Sequence, residues 1–378
     1  TWFVRLFLRV GVESFIWEPR LMRAEFIAPT HWHCANVRSR APLRLGLGGG
    51  GTDLSPYCDD HGGVVLNATI DRYAYAHLTR RDDRLVVFKA DDLGMEETVP
   101  CSADLDIHSG LSLHRAVYRH MMLHHNDGRA APLTITTTID VPAGSGLGAS
   151  SALTVALIEA FVTAMQLPLG PYEVARLAYD IERQQLGLMG GKQDQYAAAF
   201  GGFNFTEFLK GGVGVIVNPL RLRQSYLNEF ESSLVICFSG QSRESAEIIK
   251  QQVGGLNKLD EATLEAMHQI KEHAYVMKAH LLAGNMRGMA DVLLQSWRSK
   301  KRTASSISND TVERLLDVAL SSGAWAGKVS GAGGGGFIML MTDPEKRFGL
   351  IRGLNEAGGA ASAVKLTFEG AEAWAVPN

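Results

Sequence analysis

The stretch Pro142-Ala-Gly-Ser-Gly-Leu-Gly-Ala-Ser-Ser151 has glycine at three alternate positions and ends in two serines. It follows a strand-like run rich in threonine and isoleucine, Leu133–Ile139, and leads into a helix with one apolar face. Glycines let backbone amides approach an anion closely, and a helix N-terminus adds free N–H groups and a positive dipole end. The stretch therefore predicts a phosphate-binding loop, although a tight turn with an N-cap serine would also fit it.

Two further glycine-rich stretches lie far from the first along the chain. They read Gly46-Leu-Gly-Gly-Gly-Gly-Thr-Asp53 and Ser330-Gly-Ala-Gly-Gly-Gly-Gly336, and each lies beside a strand-like run. We name the stretches at residues 46–53, 142–151 and 330–336 the first, second and third glycine loops. Three such loops suggest that backbone amides converge on a ligand with many anionic oxygens.

Two common nucleotide-binding motifs fit these loops poorly. The dinucleotide pattern Gly-x-Gly-x-x-Gly, or a looser form of it, occurs in all three loops, so it discriminates little. The β-rich region around Asp71 also lacks the repeated βαβ units of a Rossmann fold. A Walker A loop is excluded at residues 186–193, where leucine and glutamine replace its first glycine and its Ser or Thr.

The composition is that of a large globular protein. The chain has 378 residues, 46% of them hydrophobic, and a formal net charge of −3. A slightly acidic chain lacks the basic surface of a non-specific nucleic-acid binder, so we expect no nucleic-acid partner. The four cysteines are scattered, as in reduced cytoplasmic proteins, and no apolar run reaches the ~18 residues of a membrane span. We therefore expect a cytoplasmic protein with no membrane partner.

Hydrophobic periodicity predicts an α+β protein of two domains. Strand patterns dominate before about residue 225, with helices over residues 105–124 and from Pro171 to Gly187; long helices follow over residues 244–322. We place the domains at residues 38–225 and 226–378. Residues 1–37 form an N-terminal extension of uncertain role, compatible with a signal peptide or with a wrongly assigned start.

Taken together, the three loops resemble the motifs of the GHMP kinase superfamily in order and spacing. Ala41-Pro-Leu-Arg-Leu-Gly-Leu-Gly-Gly-Gly-Gly-Thr-Asp53 resembles its first motif, residues 142–152 its ATP-binding second motif, and residues 328–337 its third. The resemblance covers about residues 38–378. It implies an N-terminal domain of the ribosomal protein S5 domain 2 type and a ferredoxin-like C-terminal domain, with the active site between them. It also implies ATP and Mg²⁺ as cofactors; a monomer and a homodimer both remain open.

Within the superfamily, the closest likeness is to the kinases of heptose 7-phosphate. It rests on the first motif together with Gly190-Gly-Lys-Gln-Asp-Gln-Tyr-Ala197 and Phe200-Gly-Gly-Phe203. Such a kinase would phosphorylate D-glycero-D-manno-heptose 7-phosphate at O1, giving the 1,7-bisphosphate for GDP-heptose and surface-glycan synthesis. A kinase of an unphosphorylated sugar, fucokinase-like or galactokinase-like, is the alternative within this class.

The resemblance also implies catalytic, nucleotide-binding and metal-binding residues. Asp194 matches the family's general base, and Arg44 matches its basic residue near the transferred phosphate. Ser150 and Glu182 match the metal ligands, with Ser151 as the fallback because Ala149 stands where many members have another serine. The nucleotide-binding residues expected from the second motif are Pro142, Gly144, Gly146, Leu147, Gly148, Ala149, Ser150 and Ser151.

The remaining candidates face the sugar. Asp53 matches the carboxylate that binds sugar hydroxyls, and Lys192 could bind a substrate phosphate or lower the pKa of Asp194. The full set of expected substrate contacts is Gly50, Thr52, Asp53, Lys192, Gly333 and Gly334. The basic run at residues 300–302 is interpreted as a solvated surface and is left out of the site.

A catalytically inactive binding protein with the same fold is the alternative from another functional class. Such a protein would be expected to lack at least one of the catalytic and metal-binding residues. Asp194, Glu182, Ser150 and Arg44 are all present, which favours an active kinase.

Overall fold

The structure, a computed structural model, describes residues 32–240, 245–257 and 260–377. Most of the extension at residues 1–37 therefore lies outside the described residues. The described strands are β1 (Asn36–Gly48), β2 (Gly63–Arg80), β3 (Leu85–Ala90), β4 (Met95–Pro100), β5 (Leu133–Ile139), β6 (Phe203–Phe208), β7 (Val215–Pro219), β8 (Leu234–Phe238), β9 (Ala324–Val329), β10 (Phe337–Thr342), β11 (Ala360–Ala363) and β12 (Glu372–Ala375). The α-helices in the same ranges are α1 (Tyr57–His61), α2 (Ser112–His125), α3 (Ala149–Met165), α4 (Pro171–Tyr179), α5 (Gln193–Phe200), α6 (Gln224–Ser233), α7 (Ser245–Asn257), α8 (Glu261–Leu282), α9 (Met286–Lys301), α10 (Asp310–Ser321) and α11 (Arg347–Glu356).

The first sheet forms around the long strand β2. Its order is β12-β1-β2-β5-β3-β4, and the hairpin of β6 and β7 pairs with β2 on the edge opposite β1. The pairing is antiparallel except between β3 and β5. Helix α3 packs on β1 and β2, and its residues are buried on nearly all sides because it lies between this sheet and other helices. Leu43, Leu45 and Leu47 of β1 are fully buried.

The second sheet has the order β11-β8-β10-β9 and is antiparallel throughout. Along the chain, β8 is followed by α7 to α10, then by β9, β10, α11 and β11, which is the βαββαβ order of a ferredoxin-like domain. The predicted α+β fold is therefore confirmed. The chain then returns to the first sheet, where β12 pairs with β1. The division at residues 225 and 226 stays a proposal; it falls inside α6.

Two helices differ from the sequence prediction. Helix α2 begins at Ser112 rather than at residue 105. The helix from Pro171 is α-helical only to Tyr179 and continues as a π-helical stretch, Asp180–Gln185. Apolar periodicity could not reveal this change in backbone hydrogen bonding, and π-helical turns are frequent at functional sites. None of the described helices is long and apolar enough to cross a membrane.

The second and third glycine loops lie backbone against backbone. Phe337 N donates to Ser145 O at 2.9 Å. A Cβ on Gly331 would lie 2.6 Å from Gly146 O, and one on Gly146 would lie 2.6 Å from Ser330 O. Both glycines also have a positive φ. Only glycine fits these positions, so the contact fixes the second sheet against the side of the first that carries the second glycine loop.

We expect Gly331→Ala to lower the free energy of unfolding by about 2–4 kcal/mol, because it combines left-handed backbone strain with a backbone clash. The matched control is Gly358→Ala. Gly358 also has a positive φ, but a Cβ on it would meet no other atom within 4 Å, so that variant should lose only about 1 kcal/mol. Chemical denaturation of both variants checks the difference, and equal losses would show that the contact between the loops is not tight.

Candidate active site

A cleft of about 470 Å³ opens where the three glycine loops meet. Its lining also includes residues of α7 and α9, of the π-helical stretch and of the first turn of α5. Six ionisable side chains line it, three cationic and three carboxylate: Arg44, Arg183, Lys300, Asp53, Glu182 and Asp194.

The second glycine loop forms a cradle at the N-terminus of α3. Gly144, Gly146 and Gly148 all have a positive φ, so alternate residues of the loop are left-handed, and such backbone forms concavities that bind anions. Ser145 is 1% exposed and lines the cleft, yet its hydroxyl has no hydrogen-bond partner among the described residues. The unpartnered hydroxyl, the amides and the helix N-terminus together fit a triphosphate.

Only part of the expected nucleotide-binding set faces this cradle. Gly144, Gly146, Gly148, Ala149, Ser150 and Ser151 line the cleft. Leu147 does not, because its side chain lies in the hydrophobic core with no exposed surface. Pro142 is exposed and lies outside the cleft lining. We therefore interpret Leu147 as the anchor of the loop.

Arg44 and Asp194 form an ion pair at the centre of the cleft. Arg44 Nε and Nη2 both approach Asp194 Oδ1, at 2.8 and 2.6 Å. Arg44 also donates to Gly146 O at 2.7 Å and lies 3.4 Å from Ser330 Oγ. Asp194 Oδ2 accepts no hydrogen bond within the described ranges, so one carboxylate oxygen of this pair stays available to a ligand.

Glu182 lies opposite the first turn of α3. Ser151 Oγ donates to its carboxylate, at 2.9 Å to Oε2, and Gln195 Nε2 donates to the same oxygen. Ser150 Oγ lies 3.3 Å from Oε1. Glu182 is 1% exposed, and burial raises the pKa of its carboxyl. A buried carboxylate that lines a cleft favours a cation beside it.

The donor set fits Mg²⁺ bound partly by phosphate. No group of three or more His, Cys, Asp or Glu side chains that could hold a metal occurs in the described part of the chain. Mg²⁺ commonly takes one or two carboxylates and completes its shell with phosphate oxygens and water. Glu182 and the exposed Ser150 can supply such a partial shell. Ser151 is buried and already bonded to Glu182, so it orients the carboxylate.

Asp53 connects the first glycine loop to α5. Its Oδ1 accepts from Gly51 N and Gln193 Nε2, and its Oδ2 accepts from Gln193 N, at 3.0–3.1 Å. The side chain is 1% exposed and lines the cleft. Three N–H groups therefore hold this carboxylate in place and leave it part of its accepting capacity.

Thr52 and Lys192 differ from the expected substrate contacts. Thr52 is fully buried, and its single hydroxyl proton lies between two backbone acceptors, Gly49 O and Val64 O, each 2.8 Å from Oγ1. The Lys192 ammonium turns away from the cleft and lies 3.3 Å from Asp59 Oδ1, because that carboxylate neutralises its charge. Both residues therefore contact other protein groups and do not line the cleft.

The glycines expected to face the sugar also lie outside the cleft lining. Gly334 N donates to Ile307 O at 2.7 Å, and a Cβ on Gly333 would lie 2.7 Å from the same oxygen. Gly331 and Ala332 face the cleft in their place. Gly50 is also not among the lining residues, and a Cβ on it would lie 3.8 Å from Lys300 Nζ.

Lys300 and Arg183 line the cleft but were not among the site residues expected from the sequence. Lys300 was grouped with the solvated basic run, but it is 5% exposed and lines the cleft. Its spacing from Leu293 and Trp297, both buried on α9, could have revealed this. Arg183 lies against Gly190, where a Cβ would approach its guanidinium within 2.2 Å. No spacing rule pointed to that contact.

Comparison with known proteins decides the family. The model of the GHMP kinases N terminal domain matches residues 102–202, and that of the GHMP kinases C terminal region matches residues 277–360. The D-glycero-alpha-D-manno-heptose 7-phosphate kinase of Campylobacter jejuni is 43% identical over 90% of this chain and 99% of its own length. The chain belongs to the GHMP kinase family.

Solved structures agree with this assignment. This GHMP kinase is similar to a D-glycero-D-manno-heptose 1-phosphate kinase from Bacteroides thetaiotaomicron, with a TM-score of 0.78 and 40% identity over 90% of this chain and 100% of that one. Galactokinase from Lactococcus lactis, solved with galactose, gives a TM-score of 0.70 at 16% identity, over 90% of this chain and 95% of that one. The latter likeness shows the fold alone. The expectation of a kinase with the two-domain GHMP fold is confirmed.

We expect Glu182→Gln and Ser150→Ala to raise the Mg²⁺ concentration needed for half-maximal activity by about tenfold or more, because each removes an oxygen ligand or its charge. Ser151→Ala should have a smaller effect on Mg²⁺ and a larger one on thermal stability, since its hydroxyl bonds a buried carboxylate. Magnesium titrations of the three variants at saturating ATP check this order. The reverse order for the two serines would exchange their roles.

Proposed function

We propose that this GHMP kinase uses ATP and Mg²⁺ to phosphorylate O1 of D-glycero-D-manno-heptose 7-phosphate. One observation carries the proposal: Asp194, held by Arg44, lies in a single cleft between the phosphate cradle and Asp53. A base in that position can reach a sugar hydroxyl on one side and the transferred phosphoryl group on the other. The likeness to a heptose 7-phosphate kinase over nearly the whole chain supports the choice of sugar.

The proposed reaction follows from the site's own residues. Asp194 Oδ2 accepts the proton of the acceptor hydroxyl as the new O–P bond forms and ADP leaves. Arg44 holds the carboxylate in position and places positive charge beside the phosphoryl oxygens. Asp53 accepts hydrogen bonds from neighbouring sugar hydroxyls and so orients the ring. Mg²⁺ held by Glu182 and Ser150 would neutralise part of the triphosphate charge.

The phosphate on the acceptor is the open part of the proposal. The two similar heptose kinases differ in name, one acting on a 7-phosphate and the other being a 1-phosphate kinase. The position of Lys192 favours the second candidate, a kinase of an unphosphorylated sugar, because this lysine pairs with Asp59 and does not line the cleft. Cytoplasmic location and the choice between monomer and homodimer also stay predictions.

A coupled ADP-release assay over heptose 7-phosphate, fucose, galactose and mannose separates these candidates. We expect kcat/KM for heptose 7-phosphate to exceed that for each neutral sugar by at least about a hundredfold, because an anchored phosphate orients the acceptor. ³¹P NMR of the product should show a phosphate on the anomeric carbon. A preference for a neutral sugar would reject the 7-phosphate and support the alternative.

Asp194→Asn should lower kcat by about a thousandfold or more, because it removes the base and leaves Arg44 without its counter-ion. The matched control is Asp59→Asn, which changes an ion pair outside the cleft. MgADP binding by calorimetry should be nearly unchanged in both variants. Turnover of the Asp194 variant within tenfold of the parent would show that another group takes the proton.

A further inference from the structure

Lys300 is a buried ammonium that faces the cleft and has few partners. It lies in the last turn of α9, is 5% exposed and donates one hydrogen bond, to Gly331 O of the third glycine loop. An ammonium carries three N–H donors. No carboxylate of the described residues lies within ion-pairing distance of it, and a buried charge without a counter-ion is costly. Two donors of Lys300 are therefore available to a ligand.

Lys300 lies between the phosphate cradle and the first glycine loop. On one side it bonds Gly331, which packs on Gly146 of the phosphate cradle. On the other side it lies beside Gly50 of the first glycine loop, and its charge acts on Asp53, Asp194 and Arg44. In the proposed reaction the cradle holds the nucleotide and Asp53 the acceptor, so the phosphoryl group passes between them beside Lys300.

We propose that Lys300 is a further substrate-contacting residue, whose ammonium binds the oxygens of the phosphoryl group as it moves from ATP to the acceptor. The inference rests on the proposed kinase reaction. In that step the acceptor oxygen forms a bond to the γ-phosphorus, the bond from that phosphorus to the bridging oxygen breaks, and Asp194 takes the hydroxyl proton. Lys300 gains and loses no proton; it supplies charge to the equatorial oxygens beside Arg44.

Lys301 provides the contrast that separates this role from a general basic surface. Its ammonium pairs with Glu313 at 3.0 Å, and its side chain is 36% exposed. The two adjacent lysines therefore differ in direction, since one faces the cleft and the other faces a carboxylate of α10. Lys301→Met is the matched control and should leave kcat and KM nearly unchanged.

The ionisation of Lys300 gives the proposal a pH signature. Burial lowers its pKa to about 8; Asp53 and Asp194 oppose that shift, while Arg44 adds to it. Lys328 also faces this group. Burial lowers the pKa of Lys328 well below its usual range, and the charge of Lys300 contributes to that shift. The charged form of Lys300 is populated below pH 8 and is lost above it. If the ammonium is required, kcat/KM of the free enzyme must fall above about pH 8.

The first test compares Lys300→Met, Lys300→Arg and Lys301→Met with the parent. Lys300→Met should lower kcat by about a hundredfold, with the acceptor KM changed by less than about threefold. The fall in kcat/KM above pH 8 should vanish in Lys300→Arg, because arginine stays charged. A kcat for Lys300→Met within threefold of the parent, or an alkaline limb that persists in Lys300→Arg, would overturn the proposal. So would a raised KM confined to phosphorylated acceptors, since Lys300 would then bind the acceptor's own phosphate.

The second test needs no sugar and so does not depend on the acceptor. Calorimetry of Lys300→Met should show MgATP binding weakened by about tenfold and MgADP binding unchanged, because only ATP carries the phosphoryl group in question. Equal effects on both nucleotides, or none on either, would overturn the role of Lys300. Failure of the parent enzyme to phosphorylate any sugar would count against the proposed acceptor alone, and this binding test would still decide the role of Lys300.

Discussion

The guanidinium of Arg44 holds the active site together. From β1 it reaches the carbonyl of Gly146, the hydroxyl of Ser330 and the carboxylate of Asp194, which belong to three separate segments of the chain. Its side chain is 4% exposed, so little water screens these contacts. A buried ion pair gives modest net stability, but loss of one partner leaves an uncompensated charge at a cost of about 3–5 kcal/mol. The pair therefore specifies a geometry more than it stabilises the fold.

Close backbone contact is the condition that makes this arrangement possible. The second and third glycine loops lie near enough that a single Cβ on Gly331 or Gly146 would overlap a carbonyl. The sequence predicted nucleotide contacts in the second loop and substrate contacts in the first and third, among them Gly333 and Gly334. In the structure the second loop lines the cleft, whereas Gly333 and Gly334 of the third loop contact the backbone of Ile307.

The sequence predicted the fold well and the orientation of side chains less well. The glycine-to-helix transition before α3 is a local pattern, and the structure confirms it. The structure contradicts the expected directions of Lys192 and Lys300, because these depend on partners distant in sequence: Lys192 pairs with Asp59, and Lys300 donates to Gly331 O. The π-helical stretch around Glu182 was also beyond prediction, since it alters hydrogen-bond spacing without altering the apolar pattern.

The return of β12 to the first sheet has a consequence for synthesis and folding. Arg40 of β1 lies opposite Glu372, 332 positions further along the chain. Until β12 has left the ribosome, this edge of β1 carries unpaired N–H and C=O groups, on the same strand that bears Arg44. An open edge can pair with other chains. The first sheet therefore cannot be completed cotranslationally before the second, and a fragment that ends after β7 would expose an aggregation-prone strand.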